Sequence, residues 1–207
     1  MKPTLLLFAA FTFLSLTCRK ASNFTLTKNK NRLIAIQPLN NYHTSGIETI
    51  QKEIASFYNR QVIVLEPKQL PEHFLTKETG LYFADSILKF LSGIKTDRFA
   101  EIVGLIDQPL FTIKEESSMP YFDEKIFGMG YQPGNTCVVS NARLQTNDTA
   151  VYNHRLRNVI IHEIGHNLGL DHCTNEQCIM SKENGYFTKL DLGKADYCTN
   201  CRKKIKL

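Results

Sequence analysis

The stretch HEIGHNLGLDHCTNEQCIM at 162–180 gathers three of the chain's six histidines and two of its six cysteines into nineteen positions. Zinc binds these two side chains more readily than any others, which raises the question whether the segment holds one ion or two. His162 and His166 stand four residues apart. On a helix that places both imidazoles on one face, one turn apart, within reach of a single ion. Glu163 is displaced around the same helix, where its carboxylate meets a metal-bound water without taking a coordination position. Gly169, three residues beyond His166, suits the left-handed conformation that ends a helix and turns the chain sharply. That turn returns His172 toward the same ion. Three neutral imidazoles leave a fourth position for water, which marks a catalytic rather than a structural zinc. Glu163 is then the candidate catalytic residue, taking a proton from that water and passing it to a leaving group.

The motif closes a long helical pattern over 147–170, with Val151, Leu156, Val159, Ile160 and Ile164 at its apolar positions and Asn147 or Asp148 as N-cap. Upstream, 31–39 and 61–67 read as strands. The period changes over 44–60, where Ile47, Ile50, Ile54 and Phe57 recur at helical spacing and Ser45 with Glu48 forms a capping box. A second helix is expected over 81–94 on Ile87, Leu88 and Leu91, closing near Gly93, and a strand over 101–111. This alternation predicts a mixed α/β fold with parallel strands and crossover helices. Glycines at 128, 130 and 134 cut 119–144 into short extended pieces, KIFGMGY and TCVVS. These read in two ways. They are the edge and inner strands of the same sheet, the edge offering unpaired N–H and C=O groups to an extended peptide near 127–129, or they are an ordinary hairpin loop.

The amino terminus reads differently from the rest. Lys2 precedes an apolar run over 5–16 that is too short to span a bilayer comfortably, the pattern of a signal peptide over 1–17. LSLTC resembles a bacterial lipobox, with Ser15 and Thr17 where other residues are usual. The expected product is therefore exported, either as a cell-envelope lipoprotein with its lipid on Cys18 or as a simply secreted protein. Residues 18–31 would be a polar tether, and 32–207 one catalytic domain. A net charge of +5 is modest and spread out, so it gives no argument for nucleic acid. With 43% hydrophobic and 22% charged residues, the chain is neither a disordered tail nor a membrane channel. A monomer touching the membrane only through that lipid is expected.

Apart from Cys18 there remain Cys137, Cys173, Cys178, Cys198 and Cys201, the last four spaced C-x4-C and C-x2-C. Export favours two disulfides. The spacing favours metal, and a thiolate site would bring folding energy to a C-terminal segment with few apolar residues. Both readings stand at this point.

His162, Glu163, His166, Gly169 and His172 spell HExxHxxGxxH, the zinc signature of the metzincin metalloproteases. The continuation through Cys173, Cys178, Met180, Cys198 and Cys201 resembles the archaemetzincin family at every position, with weaker similarity upstream at IFG and VVSNARL. The resemblance implies a metzincin-like single domain: a mixed, mostly parallel sheet with an antiparallel edge strand, a long active-site helix, and a Met-turn at Met180 beneath the histidines. It implies zinc-dependent hydrolysis of peptide bonds in a peptide or protein substrate, by internal cleavage or as an aminopeptidase. It also implies two zinc ions, one catalytic on His162, His166 and His172, and one structural on Cys173, Cys178, Cys198 and Cys201. The leader and Cys18 depart from a mostly cytosolic family and bear on the redox state of those cysteines. A catalytically inactive zinc-binding envelope protein that binds peptides or metal is the alternative. Tyr186 and Tyr197 are candidates to stabilise an oxyanion that the sequence does not place, and His154 is the other histidine near the motif.

Overall fold

The computed structural model describes residues 32–113, 124–181, 191 and 196–207. The expectations for the leader, Cys18, the tether and Tyr186 lie outside the described residues. In chain order the elements are β1 (Leu33–Pro38), α1 (Ile47–Tyr58), β2 (Val62–Val64), β3 (Leu75–Thr76), β4 (Leu81–Phe83), α2 (Ala84–Ile94), β5 (Phe99–Ile106), β6 (Leu110–Thr112), β7 (Glu124–Ile126), β8 (Gly128–Gly130), β9 (Thr136–Ser140), α3 (Thr149–Asn167) and α4 (Thr199–Ile205).

Five strands form the main sheet in the order β2-β1-β5-β9-β8. The pairs β1–β2, β1–β5 and β5–β9 are parallel, and β8 lies antiparallel on β9 as the edge. The sheet is mostly parallel because α1 and α2 carry the chain back between strands, and helices on both faces bury its strands twice over. All six residues of β1 are buried. Side chains alternate across the sheet: Ile34, Ile36, Val103 and Leu105 join the core against α1 and α3, while Ala35, Ile102 and Ile106 join the core around α2. No helix among the described residues is long and apolar enough to cross a membrane.

Three local expectations change. Ser45 does not cap α1; Gly46 takes the N-cap at φ 82 with no side-chain cap, and Ile47 N–H bonds to Thr44 O. The first three residues of 81–94 are strand, because Tyr82 and Phe83 pair with Leu110 and Phe111 of β6; the helix begins at Ala84 and passes Gly93 to end at Ile94. The strand over 101–111 breaks at 107–109 into β5 and β6. A second sheet, β3-β4-β6-β7, results. Its strands of two or three residues are too short to show a period in the sequence.

The site helix α3 starts where Asp148 accepts from the N–H groups of Ala150 (2.8 Å) and Val151 (3.2 Å). It ends as the glycine spacing predicts. Gly169 has φ +89, its N–H bonds to His166 O at 2.8 Å, and Leu170 N–H reaches back to Gly165 O at 3.0 Å. Asp148→Ala removes the side-chain acceptor that caps α3. It is expected to cost about 1 kcal/mol and lower Tm by roughly 2–4 °C with kcat/KM unchanged, as read by calorimetry and peptide assay.

Candidate metal centre and active site

The turn at Gly169 brings His172 back to His162 and His166. The ligating nitrogens of the three lie within 4.8 Å of one another. Ring centroids stand 4.8 Å (His162–His166), 4.9 Å (His166–His172) and 5.3 Å (His162–His172) apart. Two contacts aim the helical pair. His162 Nδ1 lies 2.7 Å from Ile179 O, and His166 Nδ1 lies 2.9 Å from Leu170 O. A carbonyl only accepts, so each Nδ1 carries the proton and each Nε2 the lone pair. The two Nε2 atoms face each other at 3.1 Å. Two lone pairs directed at one another at that distance repel unless a cation lies between them. A tetrahedral zinc about 2.0–2.1 Å from each nitrogen spaces them about 3.3 Å apart, so the donor set fits zinc. Burial and the neighbouring His166 pull the His162 imidazolium down to about pKa 3, and burial also lowers His166. Both rings are therefore neutral, the state that binds a metal.

Glu163 is buried between α3 and the edge strand. β8 runs flush over it: a Cβ on Gly128 would stand 2.8 Å from Glu163 Cγ, and one on Gly130 2.7 Å from Glu163 O. Burial pushes the carboxyl up to about 8, and the Gly130 backbone N–H donating to it works the other way. Beneath the histidines, Met180 is fully buried, and any side chain on Gly165 would run into its Sδ and the Tyr197 ring.

The four C-terminal cysteines gather at a second point. Cys173 and Cys198 Sγ are 3.9 Å apart, Cys178 and Cys201 Sγ 3.8 Å, and all four lie within 4.8 Å. All four are free of disulfides. A zinc with Zn–S of about 2.3 Å has tetrahedral edges of about 3.8 Å, so these thiols also fit the metal. Backbone N–H groups of Cys198 (3.2 Å) and Asn175 (3.4 Å) donate to Cys178 and Cys173 sulfur. Burial raises the Cys198 thiol, but bonds from Cys201, Cys178 and Cys173 outweigh it and bring it down to about 7.

Residues 38–207 match the model of peptidase family M54. The chain belongs to that family. This M54 chain is 27% identical to the archaemetzincin of Methanopyrus kandleri, over 79% of its own length and 87% of that protein's. It is 29% identical to the archaemetzincin of Archaeoglobus fulgidus, over 84% and 98%. The crystal structure of the Methanopyrus kandleri protein superposes with a TM-score of 0.71 at 25% identity, covering 87% of this chain and 97% of that one. That of the Archaeoglobus fulgidus protein gives 0.69 at 29%, covering 84% and 99%. The M54 chain is accordingly a zinc-dependent peptidase on a mixed α/β fold, and the inactive alternative loses its footing.

Other sequence candidates fall elsewhere. Tyr197 lies under α3 rather than in the cleft: its hydroxyl donates to Ile161 O at 2.8 Å and meets Tyr58 Oη at 2.7 Å. His154 Nε2 accepts from Asn158 Nδ2 at 2.9 Å, away from the three converging rings, and Cys137 is buried in β9. Sequence reasoning passed over Gly165, whose hydrogen lets Met180 rise against the helix, and Glu101, a lone carboxylate in the apolar run of β5. A charge inside such a run was the available signal for the second.

The titrations have opposite signs in the metal-free protein. Unfolded histidine takes its proton at about 6.5 while folded His162 waits until about 3, so stability falls as pH drops through that window. Unfolded glutamate ionises at about 4.5 while folded Glu163 holds its proton to about 8, so stability falls as pH rises through that window. Urea unfolding of the metal-free chain across pH should show a maximum between about 4.5 and 6.5 and losses on both sides. A stability still rising from pH 6.5 to 8 would contradict these assignments.

Proposed function

We propose that His162, His166 and His172 hold the zinc of this peptidase, and that Glu163 is its general base. The observation that carries the reading is the pair of facing Nε2 lone pairs, 3.1 Å apart and locked by backbone carbonyls. Zinc in that position would polarise the scissile carbonyl and acidify the attacking water. Glu163, beside His162 and under the edge strand, takes a proton from that water and returns it to the nitrogen of the departing amine. Its buried setting, with a pKa of about 8 in the absence of metal, suits a group that must both accept and donate a proton near neutral pH.

The substrate, on this reading, is an extended peptide laid along β8. Phe127 O and Tyr131 N bond to Ser140 N and Thr136 O of β9. The antiparallel alternation then turns the backbone groups of Gly128 and the carbonyl of Gly130 outward, toward an incoming strand, while the Gly130 N–H is taken by Glu163. A peptide digest separates the two cleavage modes: internal cuts support an endopeptidase, and ordered loss of N-terminal residues supports the aminopeptidase action that the family resemblance allows.

A second zinc on Cys173, Cys178, Cys198 and Cys201 would close the C-terminal segment onto the core. Zinc per chain counted beside free thiols tests this: two zincs are expected, and one zinc with two disulfides would refute it. We further propose export as a lipoprotein on Cys18, supported by the apolar run over 5–16 and LSLTC. Labelled palmitate in the wild type but not in Cys18→Ser is the expected result; a protein lost to the medium unlabelled is simply secreted.

Glu163→Gln is expected to keep wild-type zinc content while kcat falls by about 10²–10⁴-fold. A variant that cleaves peptides at the wild-type rate would remove Glu163 from the mechanism.

A further inference from the structure

Glu101 is a buried acid that the reaction does not use. It sits in β5 within FAEIVGLI and is fully buried. Asn167, the last residue of α3 and the neighbour of His166, donates Nδ2–H to Glu101 Oε2 at 2.8 Å. The remaining oxygen of each, Glu101 Oε1 and Asn167 Oδ1, is buried with no hydrogen-bond partner. Two buried acceptors without a donor are a costly arrangement. A single proton on Glu101 relieves both. We propose that Glu101 is a positioning residue held as the neutral acid, its hydroxyl closing onto Asn167 Oδ1 in a two-bond acid–amide pair that locks the last turn of α3 to β5.

The surroundings agree. Burial lifts Glu101 to about 8, against the Asn167 bond and the positive charges of Lys95 and Arg60. The other titratable groups that feel it are Tyr58 of α1, Cys137 of β9 and Tyr197, all held in their neutral forms by burial. A neutral acid fits among them, since full burial disfavours the charged form of the carboxyl.

Asn167 is also the joint between three parts of the site. Its backbone carbonyl accepts from Gly134 N–H at 2.8 Å, in the turn between β8 and β9. Its Oδ1 lies 3.0 Å from where a Cβ on Gly130 would stand. The pair therefore sets how the His166 turn of α3 and the edge strand sit relative to the sheet. That consequence for zinc and substrate rests on the roles proposed above; the protonation of Glu101 does not.

Infrared difference spectroscopy of zinc-loaded wild type minus E101Q at pH 7 tests the protonation without turnover, so it fails separately from the catalytic reading. The expected difference is the C=O stretch of one protonated carboxyl; a carboxylate band in its place overturns the proposal. Positioning is tested by zinc release to a chelator. E101A is expected to release zinc about tenfold faster, and E101Q, whose amide can form the same two bonds with Asn167, to restore the slow rate. Equal rates in E101A and wild type, or an E101Q as fast as E101A, overturn it. Should E101A fail to fold, the infrared result and the E101Q rate still decide.

Discussion

Two imidazole N–H groups donating to backbone carbonyls hold this site together. The His162 bond to Ile179 O and the His166 bond to Leu170 O decide which nitrogen of each ring carries a proton, and so where the lone pairs point. Each bond adds only about 0.5–1.5 kcal/mol to folding. Their larger effect is orientational, since a ring free to flip would present an N–H where a metal needs a lone pair. Both carbonyls belong to segments that the local sequence pins down. Leu170 is placed by the left-handed turn at Gly169, and Ile179 by the loop that ends in Met180.

That loop links the histidine cluster to the cysteine cluster. His172 is followed directly by Cys173, and Ile179 is preceded directly by Cys178. Cys173 N–H bonds to Met180 O at 2.7 Å, which draws the two ends of the loop together. The cysteine cluster then fastens both ends to α4, whose Cys201 and Ile205 are buried against the same core as Met180 and Ile164. A thiolate-bound ion at this point would therefore act at a distance on the carbonyl that orients His162. The two candidate metal positions are mechanically one structure, which accounts for the crowding of histidine and cysteine into one short segment.

Much of this was legible in the residues because the features involved are local. HExxHxxGxxH encodes its own geometry through the helical repeat and one glycine, and the parallel sheet followed from alternating strand and helix periods. The parts that were not legible depend on distant partners. Tyr82 and Phe83 read as the first turn of a helix, since nothing nearby reveals that Leu110 and Phe111 will pair with them. Ser45 and Glu48 have the spacing of a capping box, but Gly46 between them takes the left-handed conformation and starts the helix one residue later. The Glu101–Asn167 pair joins residues sixty-six positions apart. Only an acid standing in an apolar strand hinted at it.

The most direct test of the account is the tautomeric state of the three histidines in the zinc-loaded protein, read by nitrogen-15 NMR of labelled imidazoles. Nδ1–H is expected on His162 and His166, with metal on Nε2 of each and His172 bound to the same ion. Metal on Nδ1 of either helical histidine, or an unbound His172, would contradict it.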